Sequence, residues 1–334
     1  MTVELSILDL APLPRGQSAA ESFAASVRLA QLAERLGYRR VWYAEHHNMV
    51  NIASSATSVL IAHVGAQTER IRLGAGGIML PNHAPLLIAE QFGTLAAMYP
   101  DRIDLGLGRA PGSDEKTMYA LRRNPSSAAS FPQDVRELQG YLTGHSLVPG
   151  VQAVPGEGSN VPLYILGSSM FGAQLAAAYG LPYAFASHFS PGLLDQAIVA
   201  YRAEFKPSDA LERPYVIAGV NVLAADTMER AQEQLQAVRR ARATNLYGRR
   251  LGVDAPPLSD EQADQLLAAG MAAHVDEMLT FTALGQAADV KAYLEAFAAR
   301  TGADELITAH YAPVVDERLR SVELAAEAME LTPA

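Results

Sequence analysis

The chain has 334 residues, a formal charge of −10 at neutral pH, 49% hydrophobic and 19% charged residues, and no cysteine. That length suits one large α/β domain or two smaller ones, no apolar run reaches the ~18 residues of a bilayer span, and the negative charge opposes general affinity for nucleic acid. Without a disulfide framework or a basic-then-apolar leader in Met1–Leu5, the expected location is the cytoplasm.

In chain order, Val3 to Leu10 is a short apolar run closed by Ala11-Pro12-Leu13-Pro14, which predicts a buried strand. Ser22 to Leu36 repeats apolar residues at helical spacing and stops at Gly37. Arg40 to Ala44 is a second strand, followed at once by Glu45-His46-His47, and Ser54 to Gln67 is a small-residue helix. Then comes a strand ending in Gly74-Ala75-Gly76-Gly77, a helix from Pro85 to Met98, and a strand from Arg102 that ends in Gly108-Arg109. A helical connection of that length returns the second strand parallel to the first, so both glycine-rich ends lie on one edge of a parallel sheet.

After Arg109 a polar insertion spans 110–130, Gln133 to Leu142 is helical, and Leu147 to Asn160 is a Gly/Pro-rich loop. Val161 to Gly167 is a strand, Ser168-Ser169 opens a helix to Tyr179, Pro182 to Ala186 is a strand, and Pro191 to Phe205 a helix. Tyr215 to Leu223 is a strand whose helix runs from Asp226 to about Leu246. The pattern breaks over 247–270, with Arg249-Arg250, Pro256-Pro257 and a helical patch from Ser259, and this stretch is expected to form a lid over the site. Gln286 to Arg300 is helical, Glu305 to Ala309 the last strand, and Pro313 to Met329 a closing helix.

Eight strand-then-helix units predict a single (β/α)8 TIM barrel with insertions near 110–130 and 247–270; the alternative is an open doubly wound sheet. In a barrel the strand C-termini surround the site, which puts His46 at the mouth as an acid, a base or a backbone-bonded structural residue. Chelation of one metal by His46 and His47 is disfavoured, because neighbours on an extended chain point to opposite faces. Gly76-Gly77 lets a planar ligand approach bare backbone. Arg109 needs an anion, either Asp104 on its own strand or a ligand phosphate. Gly167-Ser168-Ser169 is a phosphate cup or an ordinary helix cap. Together these residues suggest a phosphorylated planar cofactor.

Trp42-Tyr43-Ala44-Glu45-His46-His47, Ile71 to Pro81, Asp101 to Arg109, and Gly167-Ser168-Ser169 running to Pro182 resemble, in this order, the bacterial luciferase-like flavin monooxygenases. The similarity covers most of residues 3–225 and recurs near the last strand. It implies a barrel that takes reduced FMN from a separate flavin reductase and uses it with dioxygen to oxidise a small organic substrate. By position, His46 matches the family's catalytic histidine, Gly76-Gly77 its cis peptide under the flavin, and Arg109 and Ser169 its phosphate ligands. The expected cofactor contacts are Ala75, Gly76, Gly77, Arg109, Gly167, Ser168, Ser169 and Met170, with no metal, no nucleic acid or membrane partner, and a homodimer through the small-residue helices. Ser168 and Gly108 stand where luciferase itself has an acidic residue and a reactive cysteine, so light emission is not implied. An F420-dependent hydride-transfer enzyme and a flavin-binding protein without turnover are the alternatives on this fold.

Overall fold

The computed structural model describes residues 3–14, 16–110, 115–251 and 258–333. Eight parallel strands form a closed ring: β1 (Glu4–Asp9), β2 (Arg40–Tyr43), β3 (Arg72–Met79), β4 (Ile103–Gly108), β5 (Leu163–Gly167), β6 (Tyr183–Phe185), β7 (Val216–Ala224) and, last in the ring, β9 (Glu305–His310). Pairing of β1 with β9 and of β6 with β7 closes the sheet, which rules out the open alternative. Helices α1 (Ala19–Leu36), α2 (Thr57–Gly65), α3 (Pro85–Met98), α5 (Phe131–Thr143), α6 (Met170–Tyr179), α7 (Leu194–Glu204), α11 (Ala287–Thr301) and α12 (Val315–Ala328) belong to the outer layer. Local chemistry sets their ends. Ser18 and Glu21 form a reciprocal capping box that starts α1, and Gly37 at φ 89° ends it in a left-handed turn.

The strands alternate as a barrel requires. Val41, Tyr43, Leu105 and Leu107 face the helices in the main core, while Leu8, Trp42, Tyr164 and Ile307 fill the interior. The Trp42 ring lies edge-on to Tyr164, with centroids 4.9 Å apart. Interior positions opposite so large a side chain have to be small: a Cβ on Gly76 would come within 2.9 Å of both Leu8 and the Trp42 Cβ. Below Trp42, at the N-terminal end of the barrel, the core is ionic. The buried Arg40 guanidinium donates to Asp104 Oδ2 (2.7 Å), Tyr164 Oη (2.7 Å) and Glu305 Oε2 (3.1 Å). Burial opposes its charge, but the carboxylates of Glu305 and Asp104 outweigh that and raise its pKa.

Two sequence expectations need correction. A ninth strand, β8 (Thr282–Gly285), pairs with the C-terminal half of β7 outside the ring; its four residues, TALG, carry too little pattern to be read as a strand. The helix after β7 does not stop near Leu246: α8 spans Met228–Leu251. Of the proposed lid at 247–270, residues 252–257, which include Pro256-Pro257, lie outside the described residues, and most of the rest is helical. It comprises the end of α8, α9 (Asp260–Leu266) and a π turn at Leu267–Met271 leading into α10 (Ala272–Met278). Arg240 on α8 pairs with Asp264 on α9 (2.7 Å), tying these helices into a subdomain. In the other insertion, residues 111–114 are outside the described set, followed by α4 (Glu115–Ala120) and a 3-10 turn at Pro125–Ala129.

Candidate active site

At the C-terminal end of the barrel a mostly apolar cavity of about 710 Å³ opens above Trp42, Leu8 and Ile307. That volume lies within the range of small-molecule and cofactor sites. His46, Gly76, Gly77, Arg109, Gly167, Ser168 and Ser169 all line it, so residues spread over 124 positions of sequence meet in one space because each follows a barrel strand. Ala75 and Met170 do not line it. Ala75 is fully buried among the helix-facing side chains, and Met170 packs against that same core, which leaves only their backbones toward the mouth.

The Gly76–Gly77 peptide is cis. A Cβ on Gly77 would sit 2.6 Å from the Gly106 carbonyl oxygen, so this stretch of β3 runs against β4 at backbone-to-backbone distance. Arg109 leaves the end of β4 and lies over the Phe171 ring, 4.0 Å from its centroid, which puts the guanidinium beside the first turn of α6. Its alternative partner is taken. Asp104 binds Arg40 (2.7 Å) and Arg72 (2.5 Å), and among the described residues Arg109 makes no ion pair. Ser169 is the N-cap residue of α6, yet its hydroxyl makes no capping hydrogen bond, so the ordinary structural use of that serine is not made here. A guanidinium, a hydroxyl free of capping and the N–H groups of a helix start, all at one end of a cavity, are donors of the kind that can hold a phosphate.

The two neighbouring histidines separate as the extended backbone dictates. His46 lines the cavity; His47 turns away and meets Glu45 Oε1 at 2.7 Å. Glu45 also meets His83 Nε2 (2.8 Å) and accepts the Met79 N–H (3.0 Å). Burial would raise the Glu45 pKa, but the bonds from His47 and His83, the His83 charge and the Met79 N–H hold it at about 2. The ligand atoms of Glu45, His47 and His83 lie within 4.8 Å of one another, a spacing that a metal ion could bridge. Their 2.7 and 2.8 Å contacts are those of hydrogen bonds, which already satisfy the carboxylate.

Three further cavity residues escaped the sequence reading: His188, Arg242 and His310. His188 and His310 stand at or just past the C-terminal ends of β6 and β9, the placement that singled out His46, so that signal was available for both. Arg242 comes from α8, which among the described residues borders the cavity over positions 237–246. His188 fits because β7 has Gly219 below it, where a Cβ would lie 2.5 Å from the imidazole Nδ1. Burial, the Arg242 charge and His46 lower the His188 pKa to about 3. His310, between Ser321 Oγ (2.8 Å) and Thr308 Oγ1 (3.1 Å), is also lowered to about 3, by burial and the Arg318 charge.

Both folded pKa values lie below the ~6.5 of an unfolded histidine, so the unfolded chain binds up to two more protons between these limits. The stability is therefore fully present above pH ~6.5 and is lost as the pH falls toward 3, by up to ~1.4 kcal/mol per pH unit for each ring. The Glu45 contribution behaves separately, persisting above pH ~4.5 and vanishing only as the pH approaches 2. Urea midpoints should drop between pH 7 and 4, and the drop should shrink in His188→Asn and His310→Asn. A midpoint constant from pH 7 to 5 would show that the rings protonate without unfolding.

Comparison with known proteins gives the family and the fold. A model of the luciferase-like monooxygenase family matches residues 3–305. An Escherichia coli K12 protein described as a luciferase-like monooxygenase is 47% identical over 330 residues, covering 98% of each chain. The N-acetyl-S-alkylcysteine monooxygenase of Bacillus subtilis is 34% identical over 279 residues, 79% of each. The crystal structure of apo-MsnO8 superposes with a TM-score of 0.88 at 36% identity, over 99% of this chain and 100% of that one. Two more distant structures share the fold. The oxygenating constituent of 3,6-diketocamphane monooxygenase from Pseudomonas putida, in complex with FMN, has a TM-score of 0.71 at 17% identity, covering 100% of this chain and 98% of that one. An F420-dependent secondary alcohol dehydrogenase has a TM-score of 0.70 at 15% identity, covering 100% and 99%.

Proposed function

We propose, from the premise that this chain belongs to the luciferase-like monooxygenase family, that it is an FMN-dependent monooxygenase acting on a small organic substrate. The observation that supports a phosphate-bearing flavin is Arg109, which has no ion pair among the described residues and lies against the start of α6 beside the uncapped Ser169, and the monooxygenase relative favours oxygen chemistry with FMN over hydride transfer with F420. Reduced FMN, when bound, supplies the electrons that activate dioxygen. The chain's own residues do the rest. Arg109 and the N–H groups after Ser168 hold the phosphate, and Gly76-Gly77 offers bare backbone to the flat ring system. Trp42 and its apolar neighbours keep water from below, while His46 manages protons near the reacting atoms. On this reading a flavin reductase delivers the cofactor, and the exposed Val59 on α2 and Leu87 on α3 belong to a homodimer face.

Turnover under air and under argon tests the reading. The protein is mixed with FMN, NADH and a flavin reductase, and offered thioethers and ketones, headed by N-acetyl-S-alkylcysteines because a relative is named for them. Oxygen-dependent product carrying one added oxygen atom is the expected result. Alcohol or ketone conversion under argon with F420 would replace it with the hydride-transfer alternative. The phosphate site has its own test. Arg109→Ala should weaken reduced FMN binding by roughly 10- to 150-fold, the equivalent of ~1.5–3 kcal/mol for one charge-assisted hydrogen bond. Unchanged affinity on titration would remove Arg109 from the phosphate site.

A further inference from the structure

Across the cavity from Arg109 is a second cation for which the cofactor has no use. Arg242 lines the cavity from α8, with its guanidinium 5.0 Å from the Tyr311 ring centroid. Its Nε and Nη2 are buried and have no hydrogen-bond partner. Its neighbours on the same helix fare differently: Arg239 pairs with Asp276 (2.8 Å) and Arg240 with Asp264 (2.7 Å). Among the described residues Arg242 has no such carboxylate, in a chain with 36 acidic residues.

Among the described residues, none along the cavity wall fills that role. Asp9 is the one carboxylate among the described lining residues, and it already accepts from Ser26 Oγ (2.6 Å), the Ala11 N–H (3.0 Å) and Arg318 Nη1 (3.4 Å). His188, which lines the same cavity, feels the Arg242 charge and is not an anion. Two buried guanidinium N–H groups left without an acceptor are costly, and a ligand anion supplies the missing one. The FMN phosphate is not that anion. Arg109 follows β4, whereas Tyr311 follows β9, four strands away in either direction round the ring of eight. A single guanidinium, with the nearby Arg318 already matched to Asp9, suits a single negative charge, and Val238, Ala241, Leu246 and Met278 beside it suit hydrocarbon.

We propose that Arg242 receives the carboxylate of a small monoanionic organic acid, and that such acids, rather than neutral molecules of the same size, are the substrates. The proposal names the substrate class of the monooxygenase reading and rests on it for the word substrate. The test is calorimetric titration of the FMN-loaded protein with hexanoate and with hexanamide, which differ in charge but hardly in shape. Hexanoate should bind roughly 10- to 100-fold more tightly. Arg242→Gln should erase that preference while leaving FMN affinity and hexanamide binding in place, and Arg242→Lys should keep part of it. Equal affinities in the parent protein, including no binding of either probe, overturn the proposal, as does a preference that survives Arg242→Gln. Binding needs neither oxygen nor turnover. A protein that prefers the acid but oxygenates nothing refutes the monooxygenase reading alone, and one that oxygenates neutral substrates as readily as acids refutes this proposal alone.

Discussion

Replacing His46 with alanine should lower the rate of oxygenation by 10² to 10⁴, the usual cost of losing a general acid or base, while FMN affinity and thermal stability change little. The expectation rests on where the side chain goes: His46 is the member of the pair that lines the cavity. His47 is the control that geometry supplies. It is bonded to Glu45, so His47→Ala removes one of three donors to a buried carboxylate and should cost ~1–3 kcal/mol of stability with a much smaller effect on rate. Single-turnover product formation in air, with melts of both variants alongside, separates the two roles. A His46→Ala protein as fast as the parent beside an inert, well-folded His47→Ala protein would assign the chemistry to the wrong ring.

The largest stability effect should come from the bottom of the barrel, where Arg40 is surrounded by Asp104, Glu305 and Tyr164 with a side chain only 1% exposed. Arg40→Met leaves two carboxylates buried with less compensation than before, and breaking a buried ion pair in this way costs about 3–5 kcal/mol. Arg72 still binds Asp104, and Tyr215 still donates to Glu305 at 2.8 Å, which keeps the loss toward the lower end. The triple variant Arg40→Met, Asp104→Asn, Glu305→Gln removes the charges together and should recover part of the loss. Urea denaturation of the three proteins decides the matter, since a single variant as stable as the parent would mean that the barrel does not depend on this cluster.

The sequence by itself determined the barrel, because elements are encoded locally. Short apolar runs followed by helical spacing recur eight times along the chain, and each can be read without its neighbours. It also determined that His46, Gly76-Gly77, Arg109 and Ser168-Ser169 share one rim, since every such residue closes a strand or opens the helix after it. What an arginine pairs with is decided elsewhere. Arg40 reaches Asp104 and Glu305 across separations of 64 and 265 residues, and only strand register says that Asp104 is taken by Arg40 and Arg72 and not by Arg109 on its own strand. The short β8 forms because the far half of β7 has an open edge beside it, a condition no four-residue window contains. Arg242 looks on the sequence like Arg239 and Arg240, one helical turn or less away. Tertiary packing alone gives those two their carboxylates and turns the third into the cavity, because a helix distributes successive side chains around its axis and the neighbours it meets differ from face to face.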